Sequence, residues 1–326
     1  AMRSGLPLAR QSLRLLAERQ SDLPDPWPHG ARDLFVELLS GGHRAIPVIE
    51  SLDYFEVWTH LLPEWTPNRS RPQRNTYHRF TVDRHLLETV AEAARLTQRV
   101  RRPDLLLVAA LLHDIGKGYP GDHTEVGVRL VGPIASRCGF SASDAEVLSR
   151  LVEHHLLLPD VATRRDLEDT QTIRGVAEKV ETVEFLELLA ALTEADSIAT
   201  GPTAWGEWKA HLVETLAALV TDYISSDGST RRKRRSFVTQ QLESLMAEGE
   251  TVVQGAGDTV TIVAPDRAGT FSRAAGALAL RGLDVLQADA YSSEAGMAVS
   301  QFRVAEPDTP VDWERVTEDV YQCLDG

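Results

Sequence analysis

Eight consecutive apolar residues, Leu105–Leu112, run directly into His113 and Asp114 in the stretch LLLVAALLHDIGK. The run is far short of the roughly 20 residues that a membrane-spanning helix needs, so it predicts a helix buried on all sides in a soluble core. Such a helix constrains everything around it, because other elements must cover it completely. It also ends in two groups that are costly to bury, and an unpaired buried charge costs several kcal/mol or titrates away.

The same conflict recurs on three other predicted helices. In TVDRHLLETVAEAARL, His85 follows Val82 by three residues and leans toward the apolar stripe. In SASDAEVLSRLVEHHLLLPD, Leu148, Leu151, Val152 and His155 follow i, i+3, i+4, i+7 spacing, with His154 beside them. In EFLELLAALTEAD, Phe185, Leu189 and Leu192 lead to Asp196. A lone core histidine is usually a hydrogen-bonded structural residue. Several together are satisfied more economically by one shared cation, since neutral imidazoles and carboxylates suit a divalent metal. The lack of cysteine among them points away from a structural zinc site and toward a catalytic site with open positions.

The apolar spacing of three and four persists from Thr81 to about Tyr223 with almost no alternation, which predicts an all-α domain. Before it, from Leu6 to about Trp65, short amphipathic helices are broken by DLPDPWPHG and SGG, and that stretch shows no chemistry of its own. After it, SSDGSTRRKRR (Ser225–Arg235) reads as a solvated linker, followed by a helix near Ser236–Glu248. Beyond Gly257 the period changes. TVTIVA alternates, PDRAG turns, TFSRAAGALALRG is an amphipathic helix, two strands follow in LDVLQADAYS and GMAVSQFRV, and a last helix lies within Val311–Leu324. The order β-α-β-β-α is a ferredoxin-like unit that stops before its final strand. The predicted fold is therefore mainly α, an all-α helical domain followed by a small α+β unit, with divisions at residues 1–75, 76–224, 225–257 and 258–326.

Thirty-four Lys and Arg against 48 Asp and Glu give a net charge of −14, a field that repels nucleic acid and anionic membrane surfaces. A phosphate-bearing substrate then requires a local source of positive charge. Two cysteines far apart and no recognisable signal peptide make the cytoplasm the expected location. Ala1 ahead of Met2 reads as the remnant of a cleaved tag.

The order His85, His113-Asp114, Asp196 resembles the HD superfamily of metal-dependent phosphohydrolases. The accompanying Gly116-Lys117, HTEVG from His123 to Gly127 and the pair His154-His155 strengthen the likeness. HRFTVDRHLLETV, HDIGKGYPGDHTEVG, VEHHLLLPDVATRRDLEDTQTI and ADSIATGPTAWGEWKAHL are similar to the hydrolase domain of the bacterial PII uridylyltransferase/uridylyl-removing family. APDRAGTFSRAAGALALRGLDVLQADAYS is similar to the ACT domain of that family.

The resemblance implies an HD domain over residues 76–224 and an incomplete ACT-like regulatory unit over 258–326. No transferase signature, a Gly-Ser pair followed by paired aspartates, precedes residue 75, so the chain is expected to be a fragment without that half. It also implies one metal site from His85, His113, Asp114 and Asp196, and a second from His123 with a histidine of the 154–155 pair, His155 ahead of His154. One or two divalent ions are expected, manganese or magnesium, with iron or zinc as alternatives. Lys117 matches a phosphate-contacting lysine.

The implied reaction is hydrolysis of the bond between a tyrosine of the PII signal protein and UMP or AMP, with Asp114 and Lys117 carrying the chemistry. Two rivals stay open: an HD phosphohydrolase acting on a cyclic dinucleotide or an alarmone, and a catalytically silent, metal-stabilised amino-acid sensor.

Two expectations concern the second unit. Asp266, Arg267 and Gly269, in the turn PDRAG before a helix N-terminus, are candidates for binding glutamine, against the plainer reading of a capping turn. The strand TVTIVA lacks the neighbour that a fourth strand would provide, and an open edge recruits another strand. Either the preceding ETVVQGA (Glu250–Ala256) folds back as an added hairpin, or two copies pair as a homodimer.

Overall fold

Proline and glycine breaks together with side-chain caps divide the first part of the chain into helices, and the lengths of those helices decide what is buried. The structure is a computed structural model that describes residues 2–19, 24–73, 79–167, 169–226, 238–293, 295–305 and 311–325. It separates into two units, residues 1–230 and 231–326.

In the first unit, α1 (Arg10–Glu18), α2 (Ala31–Ser40), α3 (Ile46–Tyr54) and α4 (Val57–Leu61) precede a 3-10 turn at Pro63–Asn68. Then come α5 (Val82–Leu96), α6 (Pro103–Leu112), α7 (His123–Arg137) and α8 (Ala142–His154). The series closes with α9 (Leu157–Arg164), α10 (Thr170–Val180), α11 (Val183–Thr200) and α12 (Glu207–Ser225). Among the described residues of this unit there is no strand.

Helix α6 is the centre of this unit. Pro103 opens it, where a missing N–H costs nothing, and each residue of Leu105–Leu112 is no more than 2% exposed. It packs against α2, α5, α8 and α11. Each buried leucine contributes roughly 1.5–3 kcal/mol, so the run that looked too apolar for a surface helix is an axis on which the others assemble. Arg102 ties the start of α6 to the start of α8 by pairing with Asp104 and Asp144 at 2.8 and 2.7 Å.

Two glycines bring the end of α6 against its neighbours. A Cβ on Gly116 would overlap the carbonyl of His123, and one on Gly127 would press on Val152 Cγ1 at 2.9 Å. The 3-10 turn Ile115–Gly118, the first turn of α7 and the last turn of α8 therefore approach closely. Asp122 caps α7 by accepting from the backbone N–H groups of Thr124 and Glu125, which fixes where His123 starts the helix.

Residues just beyond the Leu6–Trp65 stretch pack on the same turn. Asn68 Nδ2 donates to the Ile115 carbonyl at 2.8 Å and Arg71 Nη1 to that of Gly118 at 2.9 Å.

The second unit begins with α13 (Gln240–Glu248); from residue 227 to 237 the basic linker lies outside the described residues. It continues with β1 (Val252–Ala256), β2 (Thr259–Pro265), α14 (Thr270–Leu280), β3 (Val285–Ser292), β4 (Met297–Val304) and α15 (Trp313–Asp325). The sheet is antiparallel in the order β1-β2-β4-β3, and β2 through α15 has the β-α-β-β-α order of an ACT-like ferredoxin unit.

β1 occupies the edge beside β2 that was expected to stand open, with Val253 opposite Ile262 and Gly255 opposite Val260. Of the two expected ways to close that edge, the structure shows the hairpin, turned at Gly257 with φ 62°. Alternation along β2 separates two cores. Val260 and Ile262 pack with Ala274, Leu278, Val316 and Val320 from α14 and α15, and Val263 packs on the other face with Leu242 and Met246 of α13.

Candidate metal centre

Four helices and one turn deliver polar side chains to a single place in the first unit. His85 comes from α5, His113 and Asp114 from the end of α6, His123 from the first turn of α7, His155 from just past α8 and Asp196 from α11. His85, His113, Asp114 and His155 are no more than 3% exposed.

The donor atoms fall into two sets that share one carboxylate. His85 Nε2 lies 3.3 Å from His113 Nε2 and 3.0 Å from Asp196 Oδ1, and His113 Nε2 lies 3.4 Å from the same oxygen. Both imidazoles face Asp114 Oδ2, at 3.7 and 3.4 Å. The other oxygen, Asp114 Oδ1, faces His123 Nε2 at 3.6 Å and His155 Nε2 at 3.8 Å.

These donors fit a divalent cation. Ligands on a common ion with bonds of about 2.1 Å stand ~3 Å apart when adjacent in an octahedron, close to the spacings seen here. Asp114 Oδ1 is buried without a hydrogen-bond partner, an acceptor left for something that is not a protein donor. His113 Nδ1 donates to the Ala110 carbonyl at 2.9 Å and His155 Nδ1 to that of Val152 at 2.6 Å, which turns each Nε2 inward.

Burial, the largest single influence, would raise the carboxyl pKa values of Asp114 and Asp196, but the neighbouring groups together outweigh it, His113 and Lys117 beside Asp114 and His113 and His85 beside Asp196, and both carboxyls are held well below the usual range. Burial opposes a charge on His113 too, yet Asp114 and Asp196 push its pKa up to about 10. For His155 burial wins and the pKa falls, which keeps that ring neutral.

A cavity of about 1140 Å³ opens onto Asp114, His123, His155 and Asp196, and Lys117 lines it as well. Lys117 Nζ lies 2.5 Å from Asp114 Oδ2 and donates to Gln73 Oε1 at 2.8 Å.

Comparison with known proteins identifies the helical core around this cluster: the family model described as the HD domain matches residues 82–201. The chain carries an HD domain. All six converging ligand candidates lie within the HD match, whereas Arg71 and Gln73 precede it and Lys209 follows it.

The bifunctional uridylyltransferase/uridylyl-removing enzyme of Streptomyces coelicolor is 52% identical to this chain over 227 residues, which cover 70% of this chain and 27% of that protein. The enzyme of the same name from Mycobacterium tuberculosis is 43% identical over 308 residues, 93% of this chain and 38% of that protein. In Corynebacterium glutamicum it is 35% identical over 226 residues, 69% of this chain and 32% of that protein. The chain thus spans about a quarter to two fifths of the length of these relatives, which are enzymes by name.

One residue of the expected set is not brought in. His154 is absent from both donor groups and lies instead within the fields of Glu153, Lys179 and Arg150, where burial lowers its pKa. Consecutive helical residues point ~100° apart, so a turn that aims His155 inward aims His154 away. His154 is therefore dropped from the candidate ligands.

In the second unit Asp266, Arg267 and Gly269 are all exposed in the turn between β2 and α14. Asp266 N–H donates to the Gly296 carbonyl at 2.8 Å, and Gly269 precedes α14 with φ 93° and no side-chain cap. Among the described residues no helix is long and apolar enough to cross a membrane.

Sequence reasoning missed Gln73 and Lys209. Gln73 sits in an irregular segment without a period to read. Lys209 had a usable signal: with Val213, Leu216 and Val220 it forms an i, i+4, i+7, i+11 stripe whose other members are buried.

Proposed function

We propose that the HD domain of this chain is a divalent-metal phosphodiesterase that removes a nucleotide, UMP or AMP, from a tyrosine of a PII-type nitrogen-signalling protein. The observation that carries the reading is the Asp114 carboxylate, whose two oxygens face two separate imidazole sets. His85, His113, Asp114 and Asp196 would hold one ion; His123 and His155, sharing Asp114, would hold a second. Manganese or magnesium suits a mixed nitrogen and oxygen set that exchanges water, with iron or zinc as the alternatives. Such an ion supplies Lewis acidity, lowering the pKa of water toward neutrality and stabilising phosphoryl oxygens.

The protein's own groups do the rest. The inward Nε2 atoms and Asp114 fix where the phosphorus must sit. Lys117 at the cavity wall binds a non-bridging phosphoryl oxygen and supplies positive potential in a protein of net charge −14. The leaving group is a phenolate whose conjugate acid has a pKa of about 10, so no strong general acid is required. Uridylyl removal in the names of the relatives supports this substrate over a cyclic dinucleotide or an alarmone, and such a substrate puts the enzyme in the cytoplasm. We assign glutamine sensing to the turn carrying Asp266, Arg267 and Gly269, and a homodimer, where one forms, to a sheet edge of the second unit.

The test is to incubate the manganese-loaded chain with uridylylated and adenylylated PII protein and follow mass loss. Release of one nucleotide supports the proposal. No release with any of manganese, magnesium, iron or zinc, despite stoichiometric ion binding, would leave a metal-stabilised sensor as the better reading.

A further inference from the structure

The stretch GPTAWGEWKAHL (Gly201–Leu212) has no part in the metal centre, yet it places a cation in the same cavity. Lys209 sits in the first turn of α12 and is half-buried. Its Nζ donates to the carbonyl of Ala204 at 3.0 Å and, more weakly, toward Ser197 Oγ at 3.4 Å. The loop from Gly201 to Gly206 thus curls back to hold the ammonium against the residue that follows Asp196.

Both partners are neutral, and among the described residues no carboxylate comes within 4.0 Å of this ammonium. Lys117, the other lysine of the cavity, differs: it has a carboxylate partner, Asp114, at 2.5 Å. Removing a cation from water without a close counter-charge is unfavourable, and burial does lower the Lys209 pKa, with only partial opposition from Asp196 and Asp160. A protein that keeps such a group at the end of an apolar stripe, lining the cavity over its metal-ligand cluster, leaves it to be neutralised by something that enters the cavity.

We propose that Lys209 is a substrate-binding residue that pairs with the phosphodiester anion, and with the monophosphate product, from the α12 side of the cavity. The proposal rests on the hydrolase reading for the identity of the anion, but its physical content is an anion seat beside the metal centre. Lys117 and Lys209 then divide the work. Lys117, coupled to Asp114, acts where charge develops on phosphorus, whereas Lys209 contributes to ground-state affinity. Loss of uniform binding raises KM and leaves kcat nearly unchanged.

The experiment compares the manganese-loaded chain with its Lys209→Met and Lys209→Arg variants. Inorganic phosphate binding is measured by calorimetry, metal content by elemental analysis, and hydrolysis with bis(p-nitrophenyl) phosphate. Lys209→Met is expected to weaken phosphate at least tenfold and raise KM by a similar factor. Its kcat should stay within threefold and its metal content should equal that of wild type; Lys209→Arg should recover most of the affinity.

A loss of less than threefold in phosphate affinity overturns the proposal. So does a fall in metal content together with affinity, which would make Lys209 a support for the loop and Asp196. If wild type binds phosphate through Lys209 but hydrolyses no diester with any divalent ion, the hydrolase reading fails and the anion seat stands.

Discussion

Lys117 Nζ contacts Asp114 Oδ2, the same oxygen that faces both His85 and His113. The lysine therefore competes, in the metal-free protein, for the oxygen that a bound ion needs. Lys117→Met should leave metal content at saturation unchanged, because the inward donors remain. It should slow hydrolysis at least tenfold, about 1.4 kcal/mol of transition-state stabilisation. A fall in melting temperature without a fall in rate would return Lys117 to a purely structural role.

Asp114→Asn keeps the shape of the side chain and removes the shared charge. Both ion positions lose their common ligand, so stoichiometric metal binding should disappear and turnover should fall at least a hundredfold, about 2.7 kcal/mol. Elemental analysis and the rate with the aryl diester check this together. A variant that retains one tightly bound ion and full activity would contradict the bridging assignment.

A proton-release measurement follows from His113. Its pKa near 10 in the metal-free protein means that it is protonated at neutral pH, held so by Asp114 and Asp196. Folded above its ordinary value, it contributes stability that is complete below about pH 6.5 and is lost as pH rises through about 10. An ion must displace that proton to use Nε2, so affinity should increase with pH toward 10 and binding should release a proton. Asp114 and Asp196, held well below the usual range, and the neutral His155 contribute none. Calorimetry at pH 8 in two buffers of different ionisation enthalpy measures the count, and zero release would contradict the linkage.

The pair at the end of α8 separates what the sequence could carry from what it could not. Apolar spacing placed His155 on the buried stripe and left His154 beside it, and the direction of the last helical turn turns only His155 toward Asp114. His155→Ala should therefore lower turnover at least tenfold, while His154→Ala stays within twofold of wild type. Equal effects on hydrolysis would mean that neither histidine distinguishes the site.

The same contrast runs through the rest of the molecule. Helix α6 was legible because eight apolar residues admit few environments, and His85 and Asp196 were legible because each interrupts a stripe. Gln73 was not, because its position depends on the packing of residues 63–73 against the turn at Gly116, a contact between segments with no shared period. Lys209 falls between: its stripe was there to be read, but a lysine at the start of a helix usually marks a solvated end. Only the cavity and, among the described residues, the absence of a close carboxylate make the difference visible.

The second unit supplies a test of its own through β1. Gly255 pairs with Val260, and its Cα faces the indole of Trp313 on α15 so closely that a Cβ would overlap the ring. Tyr321 Oη, also from α15, donates to the Thr251 carbonyl at 3.1 Å. β1 is thus fastened to a helix as well as to β2, which makes it part of the sheet and more than a passing cover for an edge. Gly255→Val should push Trp313 outward and destabilise this unit by about 1–3 kcal/mol, the usual cost of overpacking. Hydrogen exchange should speed up across Val252–Pro265 and Trp313–Asp325, while metal content and hydrolysis of the aryl diester stay unchanged, since the HD domain is a separate unit. Unaltered exchange in those two segments would mean that the indole moves aside at no cost and that the hairpin holds by its backbone pairing with β2.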